Sequence, residues 1–169
     1  MIIGIDLGGM SAKGALLVGD QLKGKSRVET SASDTAEQTA LAIASLVLQT
    51  AEKANKQLDD IQAIGIGAPG VVDSEHGIIV SWTNFGWKNV RLAALVEKFT
   101  GKKTFLLNDA NAAALGEAEY GAGKRFSDSV LLTLGTGIGS GIILGGKLFE
   151  GFRSAGAEIG HVVIHRDGE

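Results

Sequence analysis

The chain has 169 residues, 44% apolar and 21% charged, a composition that excludes intrinsic disorder and suits one domain or two small ones. Its formal net charge of −3 is evenly spread, with 6 basic and 8 acidic groups in residues 1–60 and 10 and 11 beyond, so no basic face points to nucleic acid. It holds no cysteine, which excludes disulfides and thiolate metal sites within it and fits a reducing cytoplasm, and no apolar run approaches the ~18 residues of a membrane span.

The opening Met1-Ile2-Ile3-Gly4-Ile5-Asp6 lacks the basic start of a signal peptide. Residues 1–7 read as an apolar strand, Gly8-Gly9 as a turn, and Ala12–Val18 and Leu22–Ser31 as two more strands. Asp34-x-x-Glu37 resembles a capping box and predicts a helix to about Gln57, with Leu41, Ala44, Leu48 and Ala51 as its apolar stripe. Ile61–Gly67 reads as a buried strand. Residues 70–90 read as loop around one short strand, Ile78–Trp82. Arg91–Phe99 predicts a helix stopped near Gly101, Lys103–Leu107 a strand, and Ala110–Tyr120 an Ala-rich helix. Val130–Leu134, Gly141–Leu144 and Val162–His165 read as strands. Such alternation argues an α/β fold with a mixed sheet.

The opening hairpin recurs at an offset of 127 residues. Gly8, Gly14 and Gly19 fall on Gly135, Gly141 and Gly146, and Leu7, Leu16 and Leu17 fall on Leu134, Ile143 and Leu144. The repeat predicts a first lobe over residues 1–108 and the start of a second over 109–169. The second copy is much the shorter, so the chain reads as the front part of something longer.

Asp6-x-Gly8-Gly9-x-x-x-Lys13 is the first candidate for chemistry. Paired glycines between strands open backbone amides to a phosphate, a carboxylate beside phosphate groups usually reaches Mg²⁺, and Lys13 adds a compact cation. A plain tight hairpin is the alternative. The second candidate, Gly135-Thr136-Gly137-Ile138-Gly139-Ser140-Gly141, spends four glycines in seven residues, which asks for positive φ or close contact. Gly65-Ile66-Gly67-Ala68-Pro69-Gly70 fits a dinucleotide fingerprint only in letters, because a turn and not a helix follows. Gly123-Lys124 lacks the rest of a P-loop. Asn108-Asp109 sits between a strand and a helix, where Asp109 serves as an N-cap, a general base for an alcohol, or both, and where Asn108 suits a polyol. Glu158-Ile159-Gly160-His161 puts an acid and an imidazole three apart, and Trp82, Asn84 and Trp87 suit a pocket for a sugar ring.

Asp6-Leu7-Gly8-Gly9 with Lys13, Gly67-Ala68-Pro69-Gly70, Asn108-Asp109-Ala110-Asn111-Ala112, Gly135-Thr136-Gly137-Ile138-Gly139 and Glu158-x-Gly160-His161 together resemble the ROK family of sugar kinases and sugar-responsive repressors. They occur in the family's order over nearly all of the chain. The resemblance implies an actin-like (ribonuclease H-like) ATPase fold of two duplicated lobes, and ATP-dependent phosphorylation of a hexose or β-glucoside. It implies Asp109 as catalytic base, with Asn84, Asn108, Glu158 and His161 on the sugar. The nucleotide and its Mg²⁺ fall to Asp6, Gly8, Gly9, Lys13, Thr136 and Gly137. His161 is a zinc ligand by the same resemblance, only where the family's downstream Cys-x-Cys-Gly-x-x-Gly-Cys motif accompanies it.

Two features depart from the pattern. Met10 stands where the family usually has Thr, and no cysteine follows His161. The chain therefore reads as a fragment of a longer kinase, inactive alone. The alternatives are a ROK-type transcriptional repressor, against which the early first strand at Ile2 and the intact Asp109 count, and a non-catalytic sugar-binding fragment. The expected partners are a small-molecule sugar and ATP, with no nucleic acid and no membrane. Self-association into a homo-oligomer stays open, as does the identity of the sugar.

Overall fold

Along β1 (Ile2–Leu7), Ile3, Ile5 and Leu7 are buried while Ile2, Gly4 and Asp6 face outward. A computed structural model of the chain, describing residues 1–135, 137–152 and 154–165, builds a five-stranded sheet around this strand. β2 (Ser11–Val18) pairs antiparallel with β1, and β3 (Gln21–Glu29) antiparallel with β2. On the other side, β4 (Ala63–Ala68) runs parallel to β1, and β8 (Lys103–Asn108) parallel to β4. The order is β3-β2-β1-β4-β8. This is the mixed α/β sheet that the element order predicts, and it agrees with the actin-like fold that the resemblance implies.

Helix α1 (Ala36–Lys53) covers β2 and β3 and packs on α2 (Leu92–Thr100). Its cap lies one residue beyond the expected box. Thr35 Oγ1 accepts from Gln38 N at 3.2 Å and Gln38 Oε1 accepts from Thr35 N at 2.8 Å, while Asp34 instead accepts from Ser31 N. The helix ends on Asn55 at φ 55°, where Lys56 N donates to Ala51 O at 2.9 Å. The buried stripe is Ile43, Leu46 and Val47 with Thr39, Ala40, Ala44, Thr50 and Ala51. Leu41 and Leu48, expected inside, are about half exposed. The core joins this stripe to Ile3, Leu7, Leu16, Ile64, Ile66 and Leu106.

The strand expected at Ile78–Trp82 forms with those bounds, but the rest of residues 70–90 is not all loop: β5 (Val71–Asp73), β6 (Ile78–Trp82) and β7 (Trp87–Val90) make a second sheet, all antiparallel. A 3₁₀ turn, Thr83–Phe85, joins β6 to β7, and Gly86 closes it at φ 63°.

The chain divides into two compact units, Met1–Asp109 and Ala110–Glu169. In the second, β9 (Ser129–Leu134), β10 (Ile138–Leu144) and β11 (Lys147–Leu148) form an antiparallel sheet ordered β11-β10-β9, the same order as β3-β2-β1. Helix α3 (Asp109–Tyr120) lies against β10. Equivalent glycines of the repeat do equivalent work. A Cβ on Gly14 would lie 2.8 Å from Thr50 Oγ1 of α1, and one on Gly141 would lie 2.5 Å from Ala114 Cβ of α3. Gly19 and Gly146 both turn the chain at positive φ, 59° and 74°. The pairing slips by one residue, however. Leu7 faces Ala12, whereas Leu134 faces Ile138 instead of Gly139.

Val162–His165, expected as a strand, is not one. A 3₁₀ turn at Ile159–His161 precedes it, and Val162, Val163 and Ile164 stand exposed. No helix among the described residues is long and apolar enough to cross a membrane.

Candidate active site

Three parallel strands deliver their C-terminal ends to one edge of the first sheet. Asp6 of β1 faces Gly67 of β4, and Ala68 of β4 faces Asn108 of β8. The Gly8-Gly9 turn, the Ala68-Pro69-Gly70 turn and Asn108-Asp109 therefore emerge side by side, where α/β sheets bind ligands.

At β1 the turn is built by close approach and not by unusual φ, since neither Gly8 nor Gly9 has positive φ. Gly8 N donates to Ser11 O at 2.9 Å, and a Cβ on Gly8 would sit 3.1 Å from that same oxygen. Thr30, a residue that the sequence did not single out, pins the turn twice: its Oγ1 donates to Gly8 O at 3.0 Å and its N–H to Met10 O at 3.2 Å. The Met10 side chain is 82% exposed. Lys13 Nζ lies 3.7 Å from Asp6 Oδ2 across the β1–β2 ladder, both side chains about two-thirds exposed.

At β8 the half-buried Asn108 donates from Nδ2 to Gly70 O at 3.1 Å. Asp109 is the exposed first residue of α3. Asn84 is exposed on the Thr83–Phe85 turn. Its aromatic neighbours do not line a sugar pocket as expected. Trp82 and Trp87 are 3% and 8% exposed, and Phe85 stacks on Trp82 at 3.8 Å with Trp87 edge-on to both. Burying these rings holds the turn that presents Asn84.

In the second unit the close approaches of the glycine-rich loop fall at its strand end. Gly139 and Gly141 meet α3, while a Cβ on Gly135 or Gly137 would meet nothing within 4 Å. Gly135 N donates to Gly137 O at 3.0 Å. Thr136 lies outside the described residues. Glu158 and His161 share one 3₁₀ turn, His161 Nε2 3.8 Å from Glu158 Oε2. The turn is docked on β10 by Ser140, whose Oγ donates to Ala157 O and accepts from Ile159 N, and by Gly160, where any Cβ would collide with Ile138 O. Ser140 and Thr30 are polar tethers with no local sequence signal.

The donor set decides which groups this chain suits. A carboxylate, a cation and a turn in which a Cβ on Gly8 would press on Ser11 O fit a magnesium-bound phosphate. Zinc does not fit on these residues alone: among the described residues no three His, Asp or Glu converge, and the chain has no cysteine.

The chain is similar to known proteins over nearly its whole length. Glucokinase of Thermotoga maritima is 40% identical over 169 residues, covering 99% of this chain and 52% of its own length. The crystal structure of a ROK family glucokinase from Streptomyces griseus, in complex with glucose and AMPPNP, superposes with a TM-score of 0.86 at 36% identity, covering 99% of this chain and 52% of that one. A xylose repressor of Caldicellulosiruptor bescii is 37% identical over 120 residues, 71% of this chain and 30% of its own. The chain spans about half the length of the first curated relatives it matches. Residues 2–169 match the ROK family, and the chain belongs to that family.

Proposed function

We propose that this chain supplies the first lobe and the opening of the second lobe of an ATP-dependent sugar kinase that phosphorylates a hexose or β-glucoside hydroxyl. The observation that carries the reading is the shared sheet edge, where an Asp/Lys-flanked glycine turn follows β1 and an exposed Asp follows β8, parallel strands separated by β4 alone. Phosphoryl transfer asks mostly for positioning and for neutralised charge, and needs a carboxylate to take the hydroxyl proton. ATP supplies the γ-phosphoryl group.

Asp109 takes the proton from the attacking sugar hydroxyl. Asn84, Asn108, Glu158 and His161 orient the sugar. Lys13 neutralises a phosphate oxygen. Asp6, paired with Lys13 at 3.7 Å, would hold a magnesium ion directly or through water, and the ion would supply charge neutralisation to the phosphates. Gly8 spends its amide on Ser11 and so shapes the turn; Gly9 offers the adjacent amide. Thr136 and Gly137 meet the phosphates from the second loop. The glucose and AMPPNP of the Streptomyces griseus structure support this pairing of ligands.

The xylose repressors among the relatives keep a second reading in view, a sugar-responsive repressor that shares the sugar site without the chemistry. A coupled ATP assay with glucose, fructose, N-acetylmannosamine and a β-glucoside decides between them, run on a protein that carries this chain at the length of its kinase relatives. Turnover on one of these sugars is the expected result. Sugar binding without turnover on any of them would favour the repressor or a binding fragment.

A further inference from the structure

We propose that the Gly70 carbonyl is a positioning group for the transfer site: through Asn108 it ties the strand end that carries Asp109 to the segment that carries Asn84. This inference rests on the kinase reading, because it assigns how that site is held in register.

The bond from Asn108 Nδ2 to Gly70 O, 3.1 Å long, bridges the ends of β8 and β4 across 38 residues of sequence. Gly70 is in turn fixed from its other side. It has φ 86°, which disfavours any L side chain, and a Cβ there would collide with Ser81 O and come within 3.2 Å of Trp82 Cα. The β4–β5 turn thus lies directly on the backbone of β6 at Ser81–Trp82. Trp82 is the last residue of β6, and Asn84 follows two residues later, on the turn between Trp82 and Phe85, whose rings stack on each other. The Phe85 ring reaches back to the β1 turn, 4.0 Å from where a Gly9 Cβ would stand. Chain connections and contacts together therefore link the base through Asn108, Gly70 and Trp82 to the turn that carries Asn84, and through Phe85 to the glycine turn.

This path explains two features that local pattern leaves unexplained. Gly70 has a left-handed backbone where Pro69 already supplies a turn, and three large aromatic residues are buried beside an exposed asparagine. In transfer chemistry the gain is geometric. A displacement near 1 Å between the base and the hydroxyl it deprotonates can cost on the order of 10²-fold in rate.

The test uses a built-in reporter. The two tryptophans of the chain, Trp82 and Trp87, both belong to the aromatic cluster beside Asn84. Asn108→Asp keeps the side chain's size but sets a carboxylate oxygen against the Gly70 carbonyl, and Asn108→Ala removes the donor. Without any sugar present, both variants should keep the far-UV spectrum while near-UV ellipticity falls and tryptophan emission shifts to the red. In the kinase-length protein they should lower kcat by about 10–100-fold with KM for ATP unchanged. Should Asn108→Ala fail to fold, the near-isosteric Asn108→Asp decides. Unchanged near-UV and emission spectra in folded Asn108→Asp would overturn the tether, as would a change confined to a raised KM for sugar, which marks a direct contact only. Altered spectra with wild-type kcat would overturn the positioning role. Altered spectra in a protein whose wild type phosphorylates none of the sugars would instead overturn the kinase reading on which the role depends.

Discussion

Gly14→Ala tests whether the repeat's second glycine exists to seat a helix. The new methyl would stand 2.8 Å from Thr50 Oγ1 and 3.2 Å from Leu46 Cγ, both in the buried face of α1. Overpacking of this kind costs about 1–3 kcal/mol, and the lost flexibility of glycine in the unfolded chain returns about 0.4–1 kcal/mol. The net expectation is a loss of about 1–2 kcal/mol, or ~2–8 °C in Tm for a chain of this size. Thr50 makes the prediction sharper. Its hydroxyl is buried and has no hydrogen-bond partner among the described residues, so Thr50→Ala removes an orphaned polar atom together with the obstacle. In a double-mutant cycle by urea unfolding, Gly14→Ala with Thr50→Ala should recover most of the loss, with a favourable coupling of about 1 kcal/mol or more. Additive costs, within ~0.5 kcal/mol, would refute the claim that Gly14 is held small by α1.

Acid should weaken the α2–β8 junction. The Thr104 N–H, donating to Glu97 at 2.9 Å, and then Lys103 hold the Glu97 carboxyl below its ordinary value of 4.5 against the opposing pull of burial. A depressed folded-state pKa contributes stability that is present above the ordinary value and lost as pH falls through the lower, folded one. Urea midpoints followed downward from pH 6 should therefore fall less steeply below about pH 4.5 in Glu97→Gln than in wild type, and identical slopes would contradict this. Met10→Thr changes an exposed side chain on the first glycine turn, so it should leave stability within ~0.5 kcal/mol of wild type. In the kinase-length protein the added hydroxyl should leave KM for MgATP unchanged or lower it, by up to about one hydrogen bond, ~0.5–1.5 kcal/mol. A raised KM would show that Met10 itself contributes to the turn's function.

The parts of the fold that were legible in the sequence are those in which one face is buried by local pattern. β1 alternates Ile3, Ile5 and Leu7 with outward residues, and α2 stops on Gly101 at φ 67°. In α1 the helix was plain but its face was not, because Leu41 and Leu48 are as apolar as Ile43, Leu46 and Val47, and only the tertiary partner decides which set is covered. Of the β5–β7 sheet only the five-residue β6 was readable; β5 and β7 were hidden by their length, three and four residues, and by the punctuation of Gly70, Gly77 and Gly86. Val162–Ile164 is apolar enough for a strand, yet strands form by pairing, and this segment pairs with nothing among the described residues. Of the candidate site, the residues with motif-like spacing were readable. Their supports were not: Thr30 reaches Gly8 over 22 residues, Ser140 reaches Ala157 over 17, and Asn108 reaches Gly70 over 38. Trp82 and Trp87 were visible as aromatic side chains near Asn84, but burial gave them to the core and left Thr83 and Asn84 on the surface of the turn.

The measurement that reaches the centre of this account is kcat for Asp109→Asn in the kinase-length protein, taken beside sugar binding by the same variant. A lost general base typically costs about 10²–10⁴-fold in rate, whereas asparagine keeps the volume and a hydrogen-bonding group for the sugar. We predict a fall of that size in kcat with sugar affinity preserved. A variant that retains more than about a tenth of the wild-type kcat, well short of the loss expected for a base, would remove Asp109 from the proton-transfer role.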